Sequence, residues 1–297
     1  MKLTMAGLLL AVLSFGADRK VVITFDDLPC GGDGGSTTLE GLREMTRKLM
    51  QPFSAQRIPL AGFVNEGRAP GIGRDGLREI LNLWLDAGAT LGNHTYSHPD
   101  INRVPLADYA SDVLKGEPVL REVLAARKKD LEYFRHPFLH TGATPETKQG
   151  LAYFLRQHKY LEAPVTLDDA DYLFAAAYTQ PKFHDRVRRQ YVPYMESIVS
   201  FFEQRSVEVF GREIPQILLL HANQLNADLM PNLLAMFRAR GYKFVSLERA
   251  LQDEAYRTPE NYVGKKGVSW LHRWSSTKGM PDKAEPDPPA WVPNPYR

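Results

Sequence analysis

The stretch Val21-Val22-Ile23-Thr24-Phe25-Asp26-Asp27 is a β-branched, apolar run that stops on two adjacent carboxylates. Residues of this kind favour a strand. The lack of polar/apolar alternation predicts burial on both faces, as in a parallel sheet covered by helices. Six runs of the same character follow, at 60–64, 89–93, 131–134, 163–167, 216–220 and 242–245. Between them lie helical periodicities at 39–49, 77–87, 108–124, 145–157, 191–202 and 232–240, with Gly88 and Gly241 where helix C-caps belong. The alternation predicts an α/β fold, a distorted (β/α)7 barrel of TIM-barrel type, with an extended C-terminal tail.

A chain of 297 residues, 43% hydrophobic, suffices for one large core. Its formal net charge of +2 is too small for a strongly basic surface field, so no nucleic-acid partner is expected. Met1-Lys2, the apolar run at 3–15 and the small residues Gly16 and Ala17 read as a signal peptide over 1–16, which predicts export to the periplasm or beyond. No later run reaches the ~20 apolar residues that a membrane span needs. The single cysteine, Cys30, leaves no intrachain disulfide to form. The main domain is expected over 17–251, with a helical insertion at 175–211. A Pro-rich extension at 252–297, too irregular for regular elements, is expected to pack on it through Trp270, Trp274 and Trp291. Oligomeric state is not legible.

In a parallel barrel the strand ends share one face, and four of these runs end in ionisable residues. The first ends in Asp26-Asp27, a pair costly to bury without a cation. The third ends in Asn93-His94-Thr95-Tyr96-Ser97-His98, two imidazoles four residues apart. Among eight histidines such a spacing arises by chance in about one sequence in five, and His136/His140 repeats it. The first pair is preferred because it follows a strand directly. The fourth run gives Arg135-His136-Pro137-Phe138, an arginine suited to clamping a carboxylate. The sixth ends in His221, and the fifth is followed by Asp168-Asp169-Ala170-Asp171-Tyr172, an acidic partner for such a histidine.

From Thr24 to His221 these motifs, in this order, resemble the polysaccharide deacetylase family, the NodB homology domain of carbohydrate esterase family 4. The resemblance implies Asp26 as general base, with Asp27, His94 and His98 as ligands of a divalent metal, zinc first and Co2+, Ni2+ or Mn2+ as alternatives. It implies that Arg135 orients Asp26, that the Phe138 N–H helps to hold an oxyanion, that Asp171 assists His221 as general acid, and that Tyr172 and Leu220 contact substrate. Asp168 and Asp169 are alternatives to Asp171. Leu28, where a glycine is common, and Tyr172, where a tryptophan is common, depart from the family pattern. The implied activity is removal of acetyl groups from an N-acetylated, or O-acetylated, glycan by metal-activated water. The competing readings are hydrolysis of small amides or acetyl esters, and a catalytically silent carbohydrate-binding protein.

Overall fold

The computed structural model describes residues 18–32 and 34–294, so the expected signal peptide at 1–16 lies outside them. Seven parallel strands are present: β1 Lys20–Leu28, β2 Leu60–Val64, β3 Thr90–Asn93, β4 Tyr133–Phe134, β5 Leu161–Glu162, β6 Gln216–His221 and β7 Lys243–Phe244. Their order is β5-β4-β3-β2-β1-β6, with β7 joined to the first residues of β1. The ring closes through the chain that follows β5. Ala163 N–H donates to Phe134 of β4, whereas Thr166 and Leu167 N–H both donate to Ile217 of β6. The run read as a strand at 163–167 is therefore displaced: β5 precedes it, and the run itself crosses from one neighbour to the other. Pro164, which has no N–H to give a ladder, sits at the crossing. A distorted (β/α)7 barrel results.

Both faces of the strands are buried, each for its own reason. Val21, Ile23 and Phe25 point outward into the main core, where Phe25 meets Phe53 and Trp84 edge-on at 5.9 and 5.3 Å. Val22, Ala61, Phe63, Tyr133, Ala163 and Ile217 alternate with such residues and form a smaller inner cluster. The outer layer comprises α1 Leu39–Gln56, α2 Gly73–Asp86, α3 Leu106–Lys115, α4 Pro118–Ala125 and α5 Pro145–Gln157. It continues with α6 Asp171–Tyr178, α7 Pro181–Phe210 and α8 Gln224–Ala239, whereas α9 Leu247–Leu251 joins the inner cluster through Leu247 and Ala250. Helix α5 starts as its sequence demands, with Thr144 accepting from Thr147 N–H and Pro145 at the first helical position.

The single helix expected at 108–124 is two, α3 and α4, broken at Gly116. A Cβ at Gly116 would stand 2.8 Å from the Thr95 backbone, so this break lets the histidine-bearing loop approach. The segment at 175–211 is mostly the 30-residue α7, packed back against α6.

The C-terminal segment is largely extended but contains a helix that its composition does not predict, α10 Trp270–Thr277. Trp274 is buried, donates from Nε1 to the Thr258 carbonyl at 3.2 Å, and meets Phe210 and Tyr256 edge-on. Arg273, fully buried, donates to the Leu139 carbonyl and to Thr141 Oγ1. The tail thus buttresses the loop after β4. Trp274→Ala is expected to cost about 3–5 kcal/mol of unfolding free energy, read from denaturant midpoints. A loss under about 1 kcal/mol would mean that the tail contributes little to the fold.

Candidate active site

Consecutive strand residues point to opposite faces, yet Asp26 and Asp27 enter the same cleft. The pairing of β1 with β2 explains how. Phe25 lies opposite Gly62 but Leu28 lies opposite Val64, three residues against two, and Asp27 has φ +64°. One extra residue in a left-handed conformation turns the second carboxylate to the side of the first.

Asp26 stands opposite His221 in the β1–β6 ladder. Arg135, fully buried after β4, donates to Asp26 Oδ1 and Oδ2 at 3.1 and 3.3 Å, to Thr24 Oγ1 at 3.1 Å and to the Ala163 carbonyl at 2.7 Å. Its guanidinium lies 4.4 Å from the centre of the Phe63 ring, over its face. Burial raises the Asp26 carboxyl above its ordinary range, and the Arg135 charge opposes that rise.

Asp27 Oδ1 is buried and unpartnered, and lies 3.7 Å from His94 Nε2 and 3.5 Å from His98 Nε2. His94 Nδ1 donates to the Arg135 carbonyl at 2.8 Å, which leaves Nε2 with its lone pair toward Asp27. Burial depresses both imidazoles, His94 well below its usual value and His98 to about 3, where the neighbouring His94 adds to the effect. Two neutral imidazoles and an orphaned carboxylate oxygen fit a divalent transition metal as ligands. Among the described residues these three form the one such cluster whose ligand atoms lie within 4.8 Å of one another.

The loop carrying the histidines is held from several sides. Asn65 donates to the carbonyls of His94 and Thr95, and Asp112 accepts from Tyr96 N–H, Ser97 N–H and Ser97 Oγ. Thr95 and His98 have φ of +72° and +59°, strain that these bonds sustain.

His221 Nδ1 donates to Asp171 Oδ1 at 2.6 Å, and its backbone N–H to Oδ2 at 2.8 Å. Asn226 Nδ2 also donates to that oxygen at 2.7 Å, so of the three candidate acids it is Asp171 that meets His221. Burial alone would depress His221, but the Asp171 charge and hydrogen bond, with Asp27 and Asp26 behind them, raise it to about 10.

Phe138, at φ +56°, is half exposed, its ring 4.4 Å from that of His98. A Cβ at Gly267 would stand 1.7 Å from the Phe138 carbonyl oxygen, so the tail presses directly on this turn. Tyr172 is exposed beside His221, ring centres 6.1 Å apart. Leu220 is a correction: it is fully buried in the main core, and Leu219 lines the cleft instead, because side chains two apart on β6 share the face of His221. Of the second histidine pair, His140 lines the cleft and bonds Asp100 at 2.7 Å, whereas His136 is buried against Phe134 and Trp270.

Sequence reasoning missed Arg68, which donates to Asp27 Oδ2 at 2.5 Å and to the carbonyls of Cys30 and Gly31. It thereby fixes Oδ1 as the free oxygen of Asp27. No spacing rule points to it. Also unforeseen is the tail's share in the cleft wall, Glu285 to Pro288 with Pro293 and Asn294.

The family model for polysaccharide deacetylases matches residues 16–152. A peptidoglycan-N-acetylglucosamine deacetylase from Bacillus cereus is 26% identical over 122 residues, 40% of this chain and 36% of that protein. The match thus spans little more than a third of that relative's length. In fold the chain is similar to a polysaccharide deacetylase from Bacillus cereus, at TM-score 0.53 and 15% identity, over 76% of this chain and 91% of that one. It is also similar to a mutant, with restored enzymatic activity, of a CE4 family pseudoenzyme from Bacillus anthracis, at TM-score 0.50 and 15% identity, over 80% of this chain and 69% of that one. With the ordered motifs standing at the strand ends of a barrel similar in fold to these structures, the chain is similar to polysaccharide deacetylases, whose family model matches a little under half of it.

Proposed function

We propose that the chain is a metal-dependent hydrolase that removes acetyl groups from an N-acetylated, or O-acetylated, glycan. The observation that carries this reading is the meeting in one cleft of Asp27 with two neutral histidines, and of Asp26 with a charged His221. The cleft, of about 1690 Å³, exceeds the ~300–1,000 Å³ of small-molecule pockets and favours a chain of sugars over a small amide. The expected signal peptide would carry such an enzyme to extracytoplasmic glycans. Among the described residues no helix is long and apolar enough to cross a membrane.

A divalent ion held by Asp27 Oδ1, His94 Nε2 and His98 Nε2, zinc being our first choice, would polarise the acyl carbonyl and acidify a water. Asp26, in the same cleft, would serve as the base for the attacking water. Its raised pKa makes it a stronger base than a surface carboxylate, while Arg135 keeps it ionised and fixed in direction. The Phe138 N–H, offered by a left-handed turn, donates to the developing oxyanion. His221, protonated at rest, gives its proton to the leaving nitrogen or oxygen, and Asp171 fixes its orientation. Tyr172 and Leu219 bound the substrate.

Acetate release from a panel of acetylated glycans tests this reading directly. It should vanish with chelator and return with zinc; release indifferent to both would sink the proposal. Asp26→Asn should retain bound zinc, measured by elemental analysis, and lose at least about 10²-fold in kcat. His98→Ala should lose the zinc itself, leaving the fold intact by circular dichroism.

A general acid works only while protonated, so activity that depends on His221 falls as pH rises through its pKa. In the wild type that fall is expected toward the raised value of about 10. Asp171→Asn removes the largest raising influence, so the alkaline limb of the kcat profile should move down by more than one pH unit. An unmoved limb would show that His221 is not the acid.

A further inference from the structure

We propose a second recognition site in the same cleft: Asp168 and Asp169, just before α6, together with Glu285 from the tail, receive a primary ammonium group, the free amine of an already de-acetylated sugar in the glycan. The proposal rests on the reading of the chain as a glycan deacetylase and narrows its substrate to a partly de-acetylated amino-sugar chain.

Three carboxylates from two distant parts of the chain line the cleft, Glu285 close enough to act on Asp168 and Asp168 on Asp169. Asp169 is only 9% exposed, and its two oxygens differ. Oδ1 accepts the Asp171 N–H at 2.7 Å, whereas Oδ2 is buried with no hydrogen-bond partner. Asp168 Oδ1 accepts the Asp169 N–H at 3.0 Å. Local backbone bonding therefore accounts for one oxygen of each acid, and leaves Oδ2 of Asp169, a residue that lines the cleft, without a partner.

Nearby basic side chains have partners of their own. Arg135 pairs with Asp26, Arg273 with Leu139 and Thr141, His221 with Asp171, and His272 with Glu285 at 3.2 Å. Among the described residues no lysine or arginine forms an ion pair with Asp168 or Asp169. Burial raises both carboxyls well above their ordinary range, with Glu285 adding to Asp168 and Asp171 to Asp169. An ammonium group answers both deficits at once, since it brings three donors and a positive charge. A sugar hydroxyl would fill Oδ2 and leave the repulsion. The amine that de-acetylation produces is thus the group that these acids accept, so each product unit improves the next encounter with the same chain.

The test compares acetate release from fully N-acetylated chitotetraose with release from the same tetramer bearing one free amine. The wild type should show a KM about tenfold lower for the amine-bearing substrate, the size of one charge-assisted hydrogen bond. Asp169→Asn keeps an oxygen for the Asp171 N–H, and Glu285→Gln lies on the tail. Each should abolish the difference in KM while leaving kcat and turnover of the fully acetylated tetramer within about twofold of wild type.

A second arm does not need turnover. Zinc-loaded Asp26→Asn protein should bind glucosamine tetramer in calorimetry, and adding Asp169→Asn should weaken that binding about tenfold. If no acetylated glycan is cleaved, the proposed function fails while this arm still reads the ammonium site. Equal KM values for the two tetramers in the wild type, or amine binding unaltered by Asp169→Asn, would overturn the proposal. So would Asp169-dependent binding of magnesium or calcium that displaces the amine.

Discussion

The structure depends on a single dislocation of the central strand. Two neighbouring residues of a regular strand cannot serve one cavity, and the extra residue at Asp26 and Asp27 removes that restriction. Its consequence is electrostatic, because two carboxylates, 2% and 4% exposed, then share a small volume. Each is compensated in its own way. Asp26 receives a buried guanidinium through both oxygens, whereas Asp27 receives Arg68 on one oxygen and has the other bare toward His94 and His98. That division leaves one carboxylate fixed through both oxygens and the other with one free oxygen, although the two residues are chemically identical. Left-handed backbone at Thr95, His98, Phe138 and Leu139 surrounds the dislocation, and each such residue costs about 1–3 kcal/mol that the Asn65, Asp112 and tail contacts must hold in place.

Those contacts come from the whole chain, beyond the stretch that the family model matches. The matched residues 16–152 carry Asp26, Asp27, the two histidines, Arg135 and Phe138. Asp171, His221 and Asn226 lie after it, as does the tail segment that presses Gly267 against the Phe138 turn and runs Arg273 into the loop behind it. Barrel closure explains the dependence. The crossing chain at 163–167 joins β4 to β6, so Arg135 at the end of β4 and His221 at the end of β6 take their mutual position from it.

Most of this placement is legible in the sequence, for a physical reason. A parallel strand buried on both faces can end only where its apolar residues end, so ionisable residues directly after an apolar run are at the mouth of the barrel. Asp26, His94, Arg135 and His221 are found that way, and β2 has the bounds its pattern predicts. The rest escapes for equally specific reasons. The run at 163–167 is apolar whether it pairs with one neighbour or changes between two, and only Pro164 hints at the change. Gly116 breaks a helix because of a loop twenty residues earlier in the chain. Leu219 and Leu220 are the same residue type, so which of them faces the cleft follows from the strand's phase relative to His221. Arg68 carries no motif, and acts through a carboxylate that it meets only in three dimensions.

The four histidines of the cleft show why residue type alone underdetermines role. His94 is buried beside the Arg135 carbonyl and His98 is mostly covered by the Phe138 ring, and desolvation drives both toward the neutral form. His221 is desolvated as well, but its Nδ1 meets a fully buried carboxylate and two further acids lie behind it, so it holds a proton well above neutrality. His140, at the rim, bonds Asp100. Within one cleft the same imidazole is thus set as lone-pair donor or as proton donor by its first polar neighbour. A cation on Asp27 would cancel one of the negative charges that raise His221 while leaving Asp171 in place, so the two functions are coupled through charge but not through a shared ligand. Because Asp171 is itself anchored by Asn226 and by the His221 backbone, it stays beside the His221 imidazole independently of the charge on Asp27.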